Sequence, residues 1–215
     1  MPKLPEPPAT TRLRALGRDV AVLAAGALLF RIYLVGTRHS SSWDEFRSYG
    51  QHGAARFDHH PKPTRVHADF GILYLAAEIK TCLAEVFQEK RLIDVRSGEP
   101  WLAAFRLDRD VRLLSLRGDW PTRAGASMNI NSGPRLRCRR WSRSIHEAYT
   151  EVEGLLYASS MHANREAVAL YERARDAFPE TPEANMLLSH PGLEPDLDRF
   201  AKELGYDLLI GPGTE

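Results

Sequence analysis

The sequence predicts an α+β domain with a central mixed or antiparallel sheet flanked by helices. Short runs rich in β-branched and aromatic side chains recur along the chain, as strands require. Helical periodicity is confined to a few stretches. The two kinds of segment interleave irregularly, unlike the strict alternation of a parallel doubly wound sheet. With 215 residues the chain lies in one domain's range, and no composition break divides it.

Residues 1–11 open with Met-Pro-Lys-Leu-Pro-Glu-Pro-Pro and read as a flexible Pro-rich arm, leaving 12–215 as the single folded domain. Arg12, Arg14 and Arg18 precede an apolar run, Ala21–Phe30, in the manner of an export signal. Arg31 interrupts that run, no small-residue cleavage site follows, and it falls short of the roughly 20 residues that cross a bilayer. It is read as core, with no membrane partner.

Phe30–Val35 is the first expected strand, followed by an irregular segment over 36–69 and a short buried strand at Gly71–Leu75. Ala76–Lys90 lacks Gly and Pro and carries Ile79, Cys82, Leu83, Val86 and Phe87 at helical spacing. Trp101–Leu107 and Val111–Leu116 read as strands about a charged turn. Gly118–Arg140 is a Gly-, Pro-, Asn- and Arg-rich excursion, and Trp141–Tyr149 a helix. Gly154–Ala158 and Glu166–Tyr171 are the next strands. Asp196–Leu204 is a helix closed by Gly205, and Tyr206–Ile210 a last strand.

Composition excludes several classes of function. The 29 basic and 28 acidic residues leave a net charge of +1, which gives no global field for nucleic acid or membranes. Cys82 and Cys138 are too few for a disulfide framework and fit a reducing, cytoplasmic setting. No Gly-x-Gly-x-x-Gly follows a strand and no Walker loop exists, so any bound phosphate must be held by side chains. Tyr171–Pro179 resembles half a tetratricopeptide unit, but one copy makes no solenoid.

His52, His59, His60 and His67 lie near Asp58 and Asp69, yet their spacing matches no specific zinc pattern. They are read as solvated loop histidines, and no metal is expected. Arg135, Arg137, Arg139, Arg140 and Arg143 crowd around Trp141 and are read as a solvated basic patch or a protein-contact surface; direct nucleic-acid binding is not expected.

Three features need a further explanation. Arg31 sits inside an apolar strand, where a guanidinium requires an anion, an internal salt bridge or an edge position. Glu78, Glu85 and Glu89 fall within about 40° of one another on the expected helix. Tyr157-Ala-Ser-Ser160 ends a strand with hydroxyls at the mouth of a polar loop. These residues fit an anion-binding cleft and go no further by themselves.

Taken in order, the segments resemble the RES domain family, named for its Arg, Glu and Ser. The resemblance rests on Arg31-Ile-Tyr33, Ala55-Arg-Phe57, Gly71-Ile-Leu-Tyr-Leu-Ala76, Cys82-Leu-Ala-Glu85, Gly154-Leu-Leu-Tyr-Ala-Ser-Ser160 with Asn164, and Leu204-Gly-Tyr-Asp207. Where family members often carry Gly-Arg-Trp-Asn-Pro, this chain has Ala55-Arg-Phe-Asp-His59, a departure that bears on Arg56. The resemblance implies a fold similar to ADP-ribosyltransferase toxins and an NAD-consuming activity. The first expectation is phosphorolysis to nicotinamide and ADP-ribose 1″-phosphate; hydrolysis of NAD and mono-ADP-ribosylation of a protein are the alternatives.

By the same resemblance Glu85 and Arg31 are the catalytic residues, and Arg31, Arg56, Tyr74, Ser159 and Asn164 hold NAD, with Ser160 as a register alternative to Ser159. No cofactor is permanently bound; NAD is the substrate and inorganic phosphate the co-substrate. The expected partner is a helix-turn-helix antitoxin that covers the active site and touches the 135–143 arginines. The oligomeric state, a homo-oligomer included, is left open. A non-enzymatic alternative is an inactive nucleotide-binding module in which Arg31 and Glu85 form a structural salt bridge.

Overall fold

The computed structural model describes residues 3–211. The chain begins with α1 (Thr10–Leu16), β1 (Val20–Leu23), β2 (Leu28–Leu34), β3 (Tyr49–Gly50), β4 (Arg65–Val66) and β5 (Ile72–Ala76). It continues through α2 (Ile79–Val86), β6 (Leu92–Asp94), β7 (Pro100–Arg106), β8 (Val111–Ser115), α3 (Trp120–Arg123) and α4 (Arg135–Ala148). It closes with β9 (Gly154–Ala158), β10 (Glu166–Tyr171), β11 (Ala184–Leu187), α5 (Glu194–Leu204) and β12 (Asp207–Leu209).

Eight strands form one sheet in the order β1-β8-β9-β10-β5-β2-β7-β11, antiparallel except for the β8–β9 pair. The expected mixed sheet flanked by helices is the fold observed. Side-chain alternation assigns the two faces. On β5, Ile72 and Tyr74 pack toward α1, α3 and α4, where Leu13, Trp120, Cys138, Trp141 and Ile145 lie buried, while Leu73 and Leu75 face the loop aromatics Trp43, Phe46 and Phe178. Farther along the helical face, Ile32 and Leu102 pack under Cys82 and Leu83 of α2 and Leu197 and Ala201 of α5. In β9, Gly154 permits close strand approach: a Cβ there would stand 2.5 Å from the Ala169 carbonyl oxygen.

Three expected elements shift. Ala76 pairs with Ala167 of β10, so the strand takes the first residue of the expected helix; α2 starts at Ile79, with Glu78 as its non-helical N-cap, and ends at Val86 rather than Lys90. Helix α4 begins six residues before Trp141, because Cys138, Trp141, Ile145 and Ala148 make one continuous buried stripe beneath the arginines. The apolar run over 21–30 is β1, a turn and the start of β2, and no helix among the described residues is long and apolar enough to cross a membrane. Helix α5 ends as expected at Gly205, whose φ of +66° is the left-handed conformation glycine adopts freely.

The arm is not free. Leu4 is buried, the carbonyls of Leu4 and Pro5 accept hydrogen bonds from Arg137 (3.2 Å) and Trp141 Nε1 (2.8 Å), and Glu6 pairs with Arg137 and Arg140. From Leu4 onward the Pro-rich segment is part of the fold, because α4 supplies a row of donors that satisfies its carbonyls.

Candidate active site

The sheet is split at its centre. β2 and β5 pair at one position, Phe30 with Ala76, and then separate. Chain from 43 to 47 fills the gap, with Arg47 bridging to Ile72. Arg31 ties this insert down: its Nη1 donates to the carbonyls of Trp43 (2.9 Å) and Glu45 (3.1 Å). Burial lowers the guanidinium to about 10, against the raising charges of Glu45 and Asp44, and it stays protonated at neutral pH. Its other donors make no protein hydrogen bond among the described residues and are not sealed from solvent.

Glu85 and Ser159 meet on the helical side of the sheet. Ser159 Oγ donates to Glu85 Oε1 at 2.5 Å and accepts from the backbone N–H groups of Met161 (3.2 Å) and His162 (3.1 Å). The hydroxyl therefore caps the turn that follows β9 and aims at the carboxylate at once. The turn reverses through Ala163 and Asn164, both at positive φ. Ser160 is exposed, and of the two hydroxyls it is that of Ser159 that contacts Glu85. Ser159→Ala is expected to cost about 1–3 kcal/mol in a denaturant melt, the cost of leaving buried partners unsatisfied, with Ser160→Ala near neutral. Equal costs for the two would show that the cap contributes nothing.

Arg31 and Glu85 form no ion pair. Arg31 shares its face of β2 with Leu29 and Tyr33, whereas α2 packs on the face of Phe30 and Ile32. Arg31 thus lies on the face of β2 opposite the helix that carries Glu85, and Cys82 feels both charges. Its thiol is buried, donates to the Phe30 carbonyl at 3.2 Å and is pushed up to about 12 by burial, which disfavours the nucleophilic thiolate.

Tyr74 and Arg56 are neighbours of one another and of Tyr157, which also feels Glu85. Tyr74 Oη accepts from the Phe57 N–H at 3.0 Å, and Arg56 Nη1 donates to the Gly133 carbonyl at 2.7 Å. Burial raises both Tyr74 and Tyr157 above the ordinary tyrosine range. Tyr157 lies within electrostatic reach of Glu85, Tyr74 and Arg56 and packs edge-on against Phe57 at 4.9 Å. The sequence names Tyr157 only as the start of Tyr157-Ala-Ser-Ser160 and assigns it no role; it lies near the end of β9, two residues before Ser159. Asn164 is not part of this group: its exposed side chain lines a neighbouring cleft with Glu78, Arg117, Arg165 and Glu166.

The glutamate stripe separates on folding. Glu78 pairs with Arg165 at 3.7 Å, Glu89 is exposed, and Glu85 alone faces Ser159. The expectation of solvated histidines fails for His59, His60 and His67, which are buried; His52 is exposed. Asp58 organises this segment, receiving His60 Nδ1, Arg47 and the His52 N–H. Burial raises the Asp58 carboxyl, but the His60 hydrogen bond and the Arg47 charge outweigh it and hold it well below the usual range. The arginines of α4 are also engaged: Arg139 holds the His52 and Gly53 carbonyls, and Arg143 those of His59 and His60. The patch is a clamp on the arm and the 52–60 segment rather than free charge.

Comparison with solved structures finds the crystal structure of the M. tuberculosis MbcT–MbcA toxin–antitoxin complex, with a TM-score of 0.54 and 17% sequence identity over 88% of this chain and 96% of that one. That likeness concerns the fold. No curated protein matches the sequence. The RES domain profile matches residues 28–191, a span that begins at β2 and contains Arg31, Arg56, Tyr74, Glu85, Ser159 and Asn164. Three-quarters of the chain thus carries the family pattern, and by that match the protein belongs to the RES domain family.

Proposed function

We propose that the protein is a toxin that consumes NAD by cleaving the bond between nicotinamide and ribose, with inorganic phosphate as the attacking group. The observation that carries this reading is the contact between Glu85 and Ser159: a carboxylate without an ionic partner among the described residues, fixed by a buried hydroxyl.

Nicotinamide in NAD already bears positive charge and leaves as a neutral base. Unlike an ordinary glycoside, which needs an acid to protonate its leaving oxygen, this bond breaks without a general acid, so one carboxylate suffices. As the C–N bond breaks, its electron pair passes to the ring nitrogen and the ribose becomes oxocarbenium-like. Glu85 faces that charge, and Ser159 holds the carboxylate in place. A phosphate oxygen then forms the new C–O bond, giving ADP-ribose 1″-phosphate. Arg56 and the uncommitted donors of Arg31 are the groups to bind the diphosphate or the attacking phosphate, since a planar fork favours bidentate anion contacts. Tyr74 offers a ring face to the cationic base, and Asn164 extends the site toward its neighbouring cleft.

An antitoxin with a helix-turn-helix domain is the proposed partner, and the cytoplasm the proposed compartment. The lack of an Arg31–Glu85 pair among the described residues weighs against the inactive module built on that salt bridge.

The test incubates purified protein with NAD, with and without inorganic phosphate, and identifies products by mass spectrometry. Phosphate-dependent formation of nicotinamide and ADP-ribose 1″-phosphate is expected. Free ADP-ribose in both tubes would make the protein a glycohydrolase. Intact NAD in both, from folded protein free of antitoxin, would overturn cleavage of free NAD; labelled ADP-ribose on a protein band would then mark a transferase.

A further inference from the structure

Two residues along the chain from Phe57, three side chains from separate parts of the chain converge at His59. His59 comes from the segment between β3 and β4, His146 from the last turn of α4, and Glu172 from the turn directly after β10. One donor atom of each lies within 4.8 Å of those of the other two. His59 Nε2 stands 3.2 Å from Glu172 Oε2 and His146 Nε2 stands 2.6 Å from Oε1, so two imidazoles address the two oxygens of one carboxylate.

We propose that His59, His146 and Glu172 bind a divalent transition-metal ion, with Zn2+ the ion their chemistry suits best. Two imidazole nitrogens and one carboxylate oxygen form the three-protein-ligand set of an open zinc site, with water as a fourth ligand. Calcium and magnesium favour all-oxygen shells and are disfavoured by the two nitrogens.

The surroundings support a built site. Gly71 N–H donates to Glu172 Oε2 at 3.1 Å, which orients the carboxylate from behind. Tyr171 packs on both rings, with centroids 4.5 Å from His59 and 5.0 Å from His146, and Phe70 lies 5.5 Å from each. These aromatics make a dry wall around the donors, while Glu172 keeps 19% of its side chain exposed as an entry path. His59 is wholly buried, and its second ring nitrogen, Nδ1, has no hydrogen-bond partner, as is also true of Nε2 on the adjacent His60.

The ion would act as a staple. It would join the segment carrying Arg56 and Phe57 to α4 and to the end of β10, three parts of the chain otherwise linked through Arg143, Ser142 and the carbonyls of residues 57–60. The sequence conceals such a site because 113 residues separate His59 from Glu172, and the other histidines of the loop are not ligands: His60 turns to Asp58, and His67 Nε2 meets the Pro63 carbonyl at 3.0 Å. The proposal is independent of the NAD reading, and its test does not use NAD turnover.

Full-length protein is stripped with a chelator, dialysed and titrated with Zn2+ alone, with retained metal counted by mass spectrometry after desalting. One equivalent is expected to remain on the wild type and to raise its melting temperature by several degrees. Affinity is expected to fall at least about a hundredfold in His146→Ala and in the near-isosteric Glu172→Gln, and to be unchanged in His67→Ala. Co2+ on the wild type gives a second readout that needs no variant: visible bands of a four-coordinate nitrogen–oxygen site support the proposal, and the spectrum of free aqueous cobalt counts against it. Wild type that retains no zinc, or Glu172→Gln that binds as tightly as wild type, overturns it and leaves a hydrogen-bonded His–Glu–His cluster.

Discussion

Glu85→Gln is expected to lower NAD turnover by about a hundred- to a thousandfold while leaving the melting curve within a few degrees of wild type. The rate loss corresponds to about 3–4 kcal/mol, the usual loss on removing one preorganised electrostatic group from a reacting centre. The fold should tolerate the change because the glutamine oxygen can still accept the Ser159 hydroxyl, and Glu85 makes no ion pair that would be broken. Glu78→Gln and Glu89→Gln serve as controls. Glu78 pairs with exposed Arg165, where an ion pair contributes less than about 1 kcal/mol, and Glu89 is exposed. Turnover within tenfold of wild type in Glu85→Gln would remove Glu85 from the chemistry. A large drop in melting temperature with little change in turnover per folded molecule would make it a structural residue.

The legible parts of the molecule are those decided by local pattern. β9 and β10 fall at Gly154–Ala158 and Glu166–Tyr171, as their apolar runs and flanking loops require, and α5 ends at the glycine that ends it in the sequence. Errors enter where a distant partner settles the outcome. Ala76 has good helix propensity but is taken into the sheet by Ala167, and the start of α4 is hidden because its buried stripe is diluted by arginines. In the site, Glu85 and Ser159 are singled out through the family resemblance, and their contact spans 74 residues of sequence. Arg31 was conspicuous as a charge in an apolar strand, yet its partners are main-chain carbonyls of an inserted segment, which no side-chain pattern encodes. His59, His146 and Glu172 are individually ordinary, and only tertiary folding makes them a group.

Helix α4 gives the largest expected effect on stability. Trp141→Ala is expected to destabilise the protein by about 3–5 kcal/mol, the range for truncating a buried aromatic, and to lower the melting temperature by roughly 6–20 °C for a chain of this size. Trp141 has no exposed surface, packs edge-on against Trp120 at 6.3 Å and donates its indole N–H to the Pro5 carbonyl. Its loss would open a cavity between sheet and helix and release the arm from the same face. Arg140→Ala, one residue away, should change stability by less than about 1 kcal/mol, because its partner Glu6 is half exposed and solvent screens the pair. If α4 were instead a surface helix presenting a basic patch, the two substitutions would cost about the same. The difference between the two melting temperatures decides which face of α4 the fold depends on. An exposed tryptophan among five arginines would be a contact surface; a buried one makes the arginines the outer rim of a core helix, with Leu4, Pro5 and Glu6 held across it.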